Sequence, residues 1–198
     1  MEQLVVHPGL SGKEAIYSGQ FINPYINSIN FQRQGNSPIC LPTATRVAFQ
    51  GLGITDISGV PLNDNRRMVS VFKAHGLQEV ANNGAFSEQV ADIINHFRVL
   101  NKQIGISPIV RDTTEWAKAL IDNHVVLAGV DTRFFYNTPE LDGRHALAVL
   151  GVDIPSPKEV DKDMSFLVYD PNTRRPDWMK AQDLFSSLTG RQFQLWRK

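Results

Sequence analysis

The chain has 198 residues, 42% of them hydrophobic, with twenty basic and twenty acidic side chains and a formal net charge of zero. That length supports one well-buried core and is short for two comfortable domains, while the charge balance argues against a nucleic acid or an acidic membrane held through bulk charge. The single cysteine excludes an intrachain disulfide framework and any Cys-rich zinc site.

No apolar stretch approaches the roughly 18 residues of a membrane span. The segment Met1 to Pro8 lacks a basic region followed by an apolar one. The expectation is therefore a cytoplasmic protein, or one exported by a route that reads no cleavable signal peptide. Residues 1–30 read as an irregular lead-in, punctuated by the turn signals Pro8-Gly9, Ser11-Gly12, Ser18-Gly19 and Asn23-Pro24. Residues 31–198 read as a single domain.

That domain opens on Gln34-Gly35-Asn36-Ser37-Pro38-Ile39-Cys40, a loop punctuated by Gly and Pro that leads into Leu41, Ala44, Val47 and Ala48 at helical spacing, with Gly51 and Gly53 to stop the run. Cys40 then stands at a helix N-terminus, where free N–H groups and the positive end of the dipole favour a thiolate. Gln34, six residues earlier, brings an amide N–H suited to an oxyanion, with the Cys40 backbone N–H as a second donor. A lone cysteine also serves as a small buried apolar side chain, so the position needs partners before it means chemistry.

Further along, Asn63-Asp64-Asn65 caps a helix expected to reach Ala74 and stop at Gly76. Ser87 caps a third, with Val90, Ile93, Ile94, Phe97, Val99 and Leu100 on its apolar face. Ile104 to Val110 reads as a strand, Thr113 to Ile121 as a helix, and Val125 to Val130 as a strand buried on both faces. A polar loop over 131–144 leads to His145 and a strand over 146–152. A charged connection follows, then a strand over 166–170, a helix from Ala181 to Leu188, and a closing strand from Gln192 to Trp196. Helices first and strands later indicate an α+β fold.

Cys40, His145 and Asp170 each fall at the end of an element, in an order that supplies nucleophile, general base and orienting group. His124, at the start of a strand, is the rival base, while Asp153 and Asn172 are alternatives to Asp170. His7 lies in the lead-in, and His75 and His96 fall on helices. Trp178 is a candidate shield for the His–Asp pair, and equally an ordinary core tryptophan.

This order resembles the papain-like cysteine peptidase superfamily. Its pattern of Gln-Gly, four residues and Cys is matched by Gln34-Gly35 through Cys40, and His145-Ala146-Leu147-Ala148-Val149-Leu150-Gly151 matches its histidine strand. Two branches look closer than plant papain. The C39-like peptidases that remove double-glycine leaders from exported bacterial peptides share the text of Trp116 to Ile121, Asn123 to Val130, Gly143 to Ala146 and Tyr169-Asp170-Pro171. Papain-like effector proteases of pathogenic bacteria share Asp170-Pro171-Asn172. Leu41-Pro42 departs from papain's Trp-Ala, and a charged insertion separates His145 from Asp170.

The resemblance implies a helical half carrying Cys40 and an antiparallel sheet carrying His145 and Asp170. It implies amide hydrolysis of a protein or peptide, delivered as an effector or toxin in one branch, with no cofactor and no metal. The same triad serves glutamine deamidases, transglutaminases and amidases, and a binding module on this fold needs none of it. Oligomeric state is not legible.

Overall fold

A computed structural model describes residues 3–6, 15–77, 88–140, 142–155, 163–190 and 192–198. Its centre is an eight-stranded sheet in which every pairing is antiparallel. The strands are β1 (Gln3–Val6), β2 (Ala15–Ile22), β5 (Ile104–Ile109), β6 (Val125–Asp131), β7 (Arg144–Ile154), β8 (Ser165–Tyr169), β9 (Asp177–Lys180) and β10 (Gln192–Arg197), while β3 (Asp56–Ile57) and β4 (Val60–Pro61) make a separate small hairpin. Around them stand α1 (Cys40–Gly51), α2 (Asn65–Ala74), α3 (Glu88–His96), α4 (Arg98–Gln103), α5 (Thr113–Ile121), α6 (Thr132–Phe135) and α7 (Ala181–Ser187).

The two faces of the sheet follow from side chains alternating along each strand. Val125 and Leu127 of β6, with Ala146, Ala148 and Leu150 of β7, join Ala44, Val47 and Ala48 of α1 in one apolar cluster. Val126, Ala128, Val130, Leu147 and Val149 turn the other way, against Trp116, Ala117 and Leu120 of α5 and Leu184 of α7. The unbroken apolar run in β6 is thus a strand covered on both sides, as its sequence predicts.

Strand β7 is the hub. It pairs with β6 along Arg144–Val149, with β2 along Gly151–Ile154, and with β8 along Ala148–Asp153. Because the β8 pairing overlaps both others, β2 must continue the edge that β6 leaves. A register shift between Val149 and Gly151 marks the changeover. Before it, even-numbered residues face α1; after it, Val152 and Ile154 belong to the α5 side. That inversion is what a β-bulge does to a period of two. Gly151 makes it sterically possible, since a Cβ there would lie 2.6 Å from the Phe21 carbonyl oxygen.

Helix α1 is buried from Leu41 to Gly51, wedged between the sheet and α2. Asp64 caps α2 and Asp112 caps α5, each carboxylate accepting the N–H three residues on.

Four features differ from the sequence reading. Residues 3–6 and 15–22 form strands rather than irregular chain: Gly19–Ile22 complete the β7 edge, and 15–18 pair with 3–6. The long third helix is broken at Phe97, whose ψ of 105° is extended. A short helix, α6, stands inside the loop expected over 131–144, and β9 adds an unforeseen strand beside β8. The Ser87 cap and most of the charged connection, residues 156–162, lie outside the described residues.

Gly151→Ala should lower unfolding free energy by about 1–3 kcal/mol, the usual cost of forcing an extra methyl into packed structure. Urea titration checks it; an unchanged midpoint would mean that β2 does not approach β7 this closely.

Candidate active site

Helix α1 begins at Cys40 itself, with Ile39 as its N-cap. The Cys40 and Leu41 N–H groups are therefore among those that the helix leaves without an internal partner. The thiol is partly exposed while the rest of the helix is buried. Burial pushes its pKa up. The hydrogen bond and charge of His145, with the Ala146 and Leu41 backbone N–H groups, outweigh that and hold it below the ordinary thiol value.

His145 is the second residue of β7 and is buried. Its Nε2 lies 2.7 Å from Asp170 Oδ1, which leaves Nδ1 as the ring nitrogen for Cys40. Burial alone would lower the imidazole pKa. The Asp170 hydrogen bond and then Cys40 overcome it, raising the pKa to about 9. Asp170 directly follows β8. Burial pushes its pKa up, and His145, the Asn172 N–H and the Tyr136 hydroxyl together bring it below the usual value.

Asp170 is held from all sides. The Asn172 N–H donates to Oδ1 at 2.8 Å and the Tyr136 hydroxyl to Oδ2 at 2.9 Å, while Asn172 Nδ2 donates to the Tyr136 oxygen at 2.7 Å. Burial pushes the Tyr136 phenol well above its ordinary pKa, keeping it a neutral donor. The rings of Tyr136 and Phe135, carried by α6 and its end, lie 6.0 and 6.5 Å from the imidazole. Trp178, the shield considered from the sequence, sits on β9 and lines a groove with Phe134 and Phe135.

Gln34 lies in an extended segment with no strand beside it, held instead by side chains. Asn30 N–H donates to Gln50 Oε1, Asn65 Nδ2 donates to the Arg33 carbonyl, and the Tyr169 hydroxyl donates to the Gln32 carbonyl. Behind them the fully buried Arg46 donates to Asn65 Oδ1 at 2.9 Å and to Gln50 Oε1 at 3.0 Å. The Gln34 N–H itself donates to the Pro171 carbonyl at 2.8 Å, tying this segment to the turn that carries Asp170. The Gln34 side-chain Oε1 is buried and accepts no hydrogen bond among the described residues.

The remaining candidates are engaged elsewhere. His124 Nδ1 meets Gln194 and its ring stacks on Trp196. Asp153 accepts from Gln20 on the neighbouring strand, and His75 packs edge-on against His96. His7 lies outside the described residues, among which no His, Cys, Asp and Glu cluster could hold a metal ion. No helix among them is long and apolar enough to cross a membrane. Sequence reasoning missed Tyr136 and Arg46. The run Phe134-Phe135-Tyr136 inside a polar loop was the available signal for the first; an arginine within the apolar-periodic run after Cys40, for the second.

No protein-family model and no curated protein matches the sequence. Among solved structures, a candidate C39-like peptidase from Bacillus anthracis superposes with a TM-score of 0.54 over 90% of this chain and 98% of its own, at 12% identity. The chain thus shares the fold of that peptidase-like structure, helices against an antiparallel sheet, as the sequence order implied.

Replacing Asp170 by Asn removes the carboxylate that opposes desolvation of the imidazolium. His145, followed by NMR, should titrate near 9 in the wild type and move down toward or below the reference value of about 6.5 in Asp170→Asn. Equal titration in both would remove Asp170 from its role.

Proposed function

We propose that this chain is a papain-like thiol hydrolase that cleaves amide bonds in proteins or peptides. Cys40 is its nucleophile, His145 its base and acid, Asp170 its orienting group and Gln34 its oxyanion donor. The observation that carries the reading is the direction of the imidazole. With Nε2 on Asp170, only Nδ1 remains for the thiol, and that thiol starts a helix whose N–H groups favour its anion. The likeness to a C39-like peptidase structure supports a fold compatible with this chemistry, and fold alone cannot name a substrate.

In this reading the Cys40 thiolate attacks the carbonyl carbon, and the oxygen takes the electron pair. The Gln34 amide and the Cys40 N–H receive that oxyanion. His145 then delivers its Nδ1 proton to the amine as the C–N bond breaks, leaving a thioester on Cys40. Neutral His145 removes a proton from water, whose oxygen attacks the thioester and releases the acid with the thiolate restored. Asp170 holds the ring and its charge throughout, and remains ionised.

Alkylation of Cys40 by iodoacetamide between pH 4 and 9 tests the pair without a known substrate. The wild-type rate should stay high well below pH 7, and His145→Ala should lose that acidic limb, titrating near the free-thiol value of about 8.5. A single titration near 8.5 in both proteins would sink the hydrolase reading. Once a substrate is in hand, Gln34→Ala should lower kcat by about 10²–10³-fold. New fragments mark a peptidase, whereas an intact chain heavier by about one mass unit marks a deamidase; Cys40→Ala should abolish either.

A further inference from the structure

Beside the reaction centre lies a cavity of about 450 Å³ whose walls include Arg33, Gln34, Ser37, Ile39, Asp64 and Arg66. Two of these belong to the machinery already described. Gln34 is the oxyanion donor, and Ile39 is the N-cap directly before Cys40. A substrate with its carbonyl on Cys40 and its oxygen toward Gln34 has this cavity as the neighbour of its scissile bond.

The charge in that cavity leans positive. Arg33 and Arg66 are exposed, and neither has an ion-pair partner among the described residues. The wall's one carboxylate, Asp64, is occupied: its Oδ1 caps α2 by accepting the Arg67 N–H at 3.0 Å. Asp64 also lies within the electrostatic reach of Arg46, buried behind Asn65. On the wall itself two guanidiniums (Arg33, Arg66) stand with one carboxylate (Asp64) and leave one positive charge in excess, and Arg46 adds a further buried positive charge behind Asn65, in a chain whose formal net charge is zero. A concave wall with an excess of one sign focuses its field on whatever enters. Arginine's planar fork matches a carboxylate in two hydrogen bonds, which makes this a selective site rather than a merely attractive one.

We propose that this cavity is the subsite for a carboxylate side chain, so that the hydrolase acts on peptides with Asp or Glu beside the scissile bond. The proposal rests on the thiol-hydrolase reading above and adds a substrate class to it. The exposed guanidiniums supply the selectivity. Gln32, Gln34, Ser37 and Asn65 make the rest of the wall largely polar.

The test uses two probes of nearly equal size, the chloromethyl ketones of N-acetylglutamate and N-acetylglutamine, which alkylate a catalytic thiol from the substrate position. Each rate at pH 6.5 is divided by the same protein's iodoacetamide rate. In the wild type the glutamyl probe should win by about tenfold, equivalent to one good charge-assisted contact. The ratio should fall toward one in the double variant Arg33→Gln/Arg66→Gln, and also with added salt, because exposed charges are screened. Both substitutions lie on the surface, and Arg33 keeps its backbone contact with Asn65. A wild-type ratio near one would overturn the subsite. So would a tenfold ratio that survives in the double variant, since the preference would then belong to the His145 imidazolium. An ordinary thiol titration with iodoacetamide is a different failure, and it removes the hydrolase reading itself.

Discussion

The segment from Asn30 to Gln34, exposed at Asn30 and Arg33 and half-buried between and after them, has no strand to pair with, and side chains of other elements hold its backbone instead. Gln50 and Arg46 reach from α1, Asn65 from α2 and Tyr169 from β8, and the Pro171 carbonyl accepts the last N–H. The helical half and the sheet half are thereby joined through one stretch of polar backbone. Gln34 and Asp170 belong to that same joint, which holds the two residues in a fixed relation.

Arg46 is unusual in this scheme. A fully buried guanidinium normally requires a carboxylate, yet the atoms that receive it here are amide oxygens of Asn65 and Gln50. Desolvation lowers its pKa, with the electrostatic influence of Tyr169 and Asp64 opposing. Spreading the charge over neutral acceptors fixes Asn65 and Gln50 without presenting them with an anion that would compete for their remaining donors. The His145–Asp170 pair solves the opposite problem. There a carboxylate is buried, and three donors from separate elements (the His145 ring, the Asn172 N–H and the Tyr136 hydroxyl) share it.

Much of this was legible from residue order. The N-terminal placement of Cys40 followed from helical spacing after a Gly- and Pro-rich loop, and the two-faced burial of β6 from an unbroken apolar run. His145 and Asp170 were read from their positions at strand ends. Other features were not legible, for physical reasons. β2 has no strong pattern of its own, because what makes it a strand is the free edge of β7. The bulge at Gly151 is invisible until the register of β8 is known. Tyr136 and Arg46 act through partners 34 and 19 positions away, and no local periodicity encodes such a distance. The break at Phe97 interrupts an apolar pattern that was periodic enough to read as one helix.

Cys40 and His145 stand 105 positions apart, on α1 and β7, and the segments that hold them in register are as widely spaced: Gln34 with Pro171, Gln32 with Tyr169, Gly19 with Ile154. Contacts of such long range form late and cooperatively. A chain emerging in order presents a cysteine and an amide long before it has an imidazole to pair with them. Until β7 and β8 are made and seated, the thiol is an ordinary one. The lowered thiol pKa is then a property of the completed fold, and local unfolding of either half removes it.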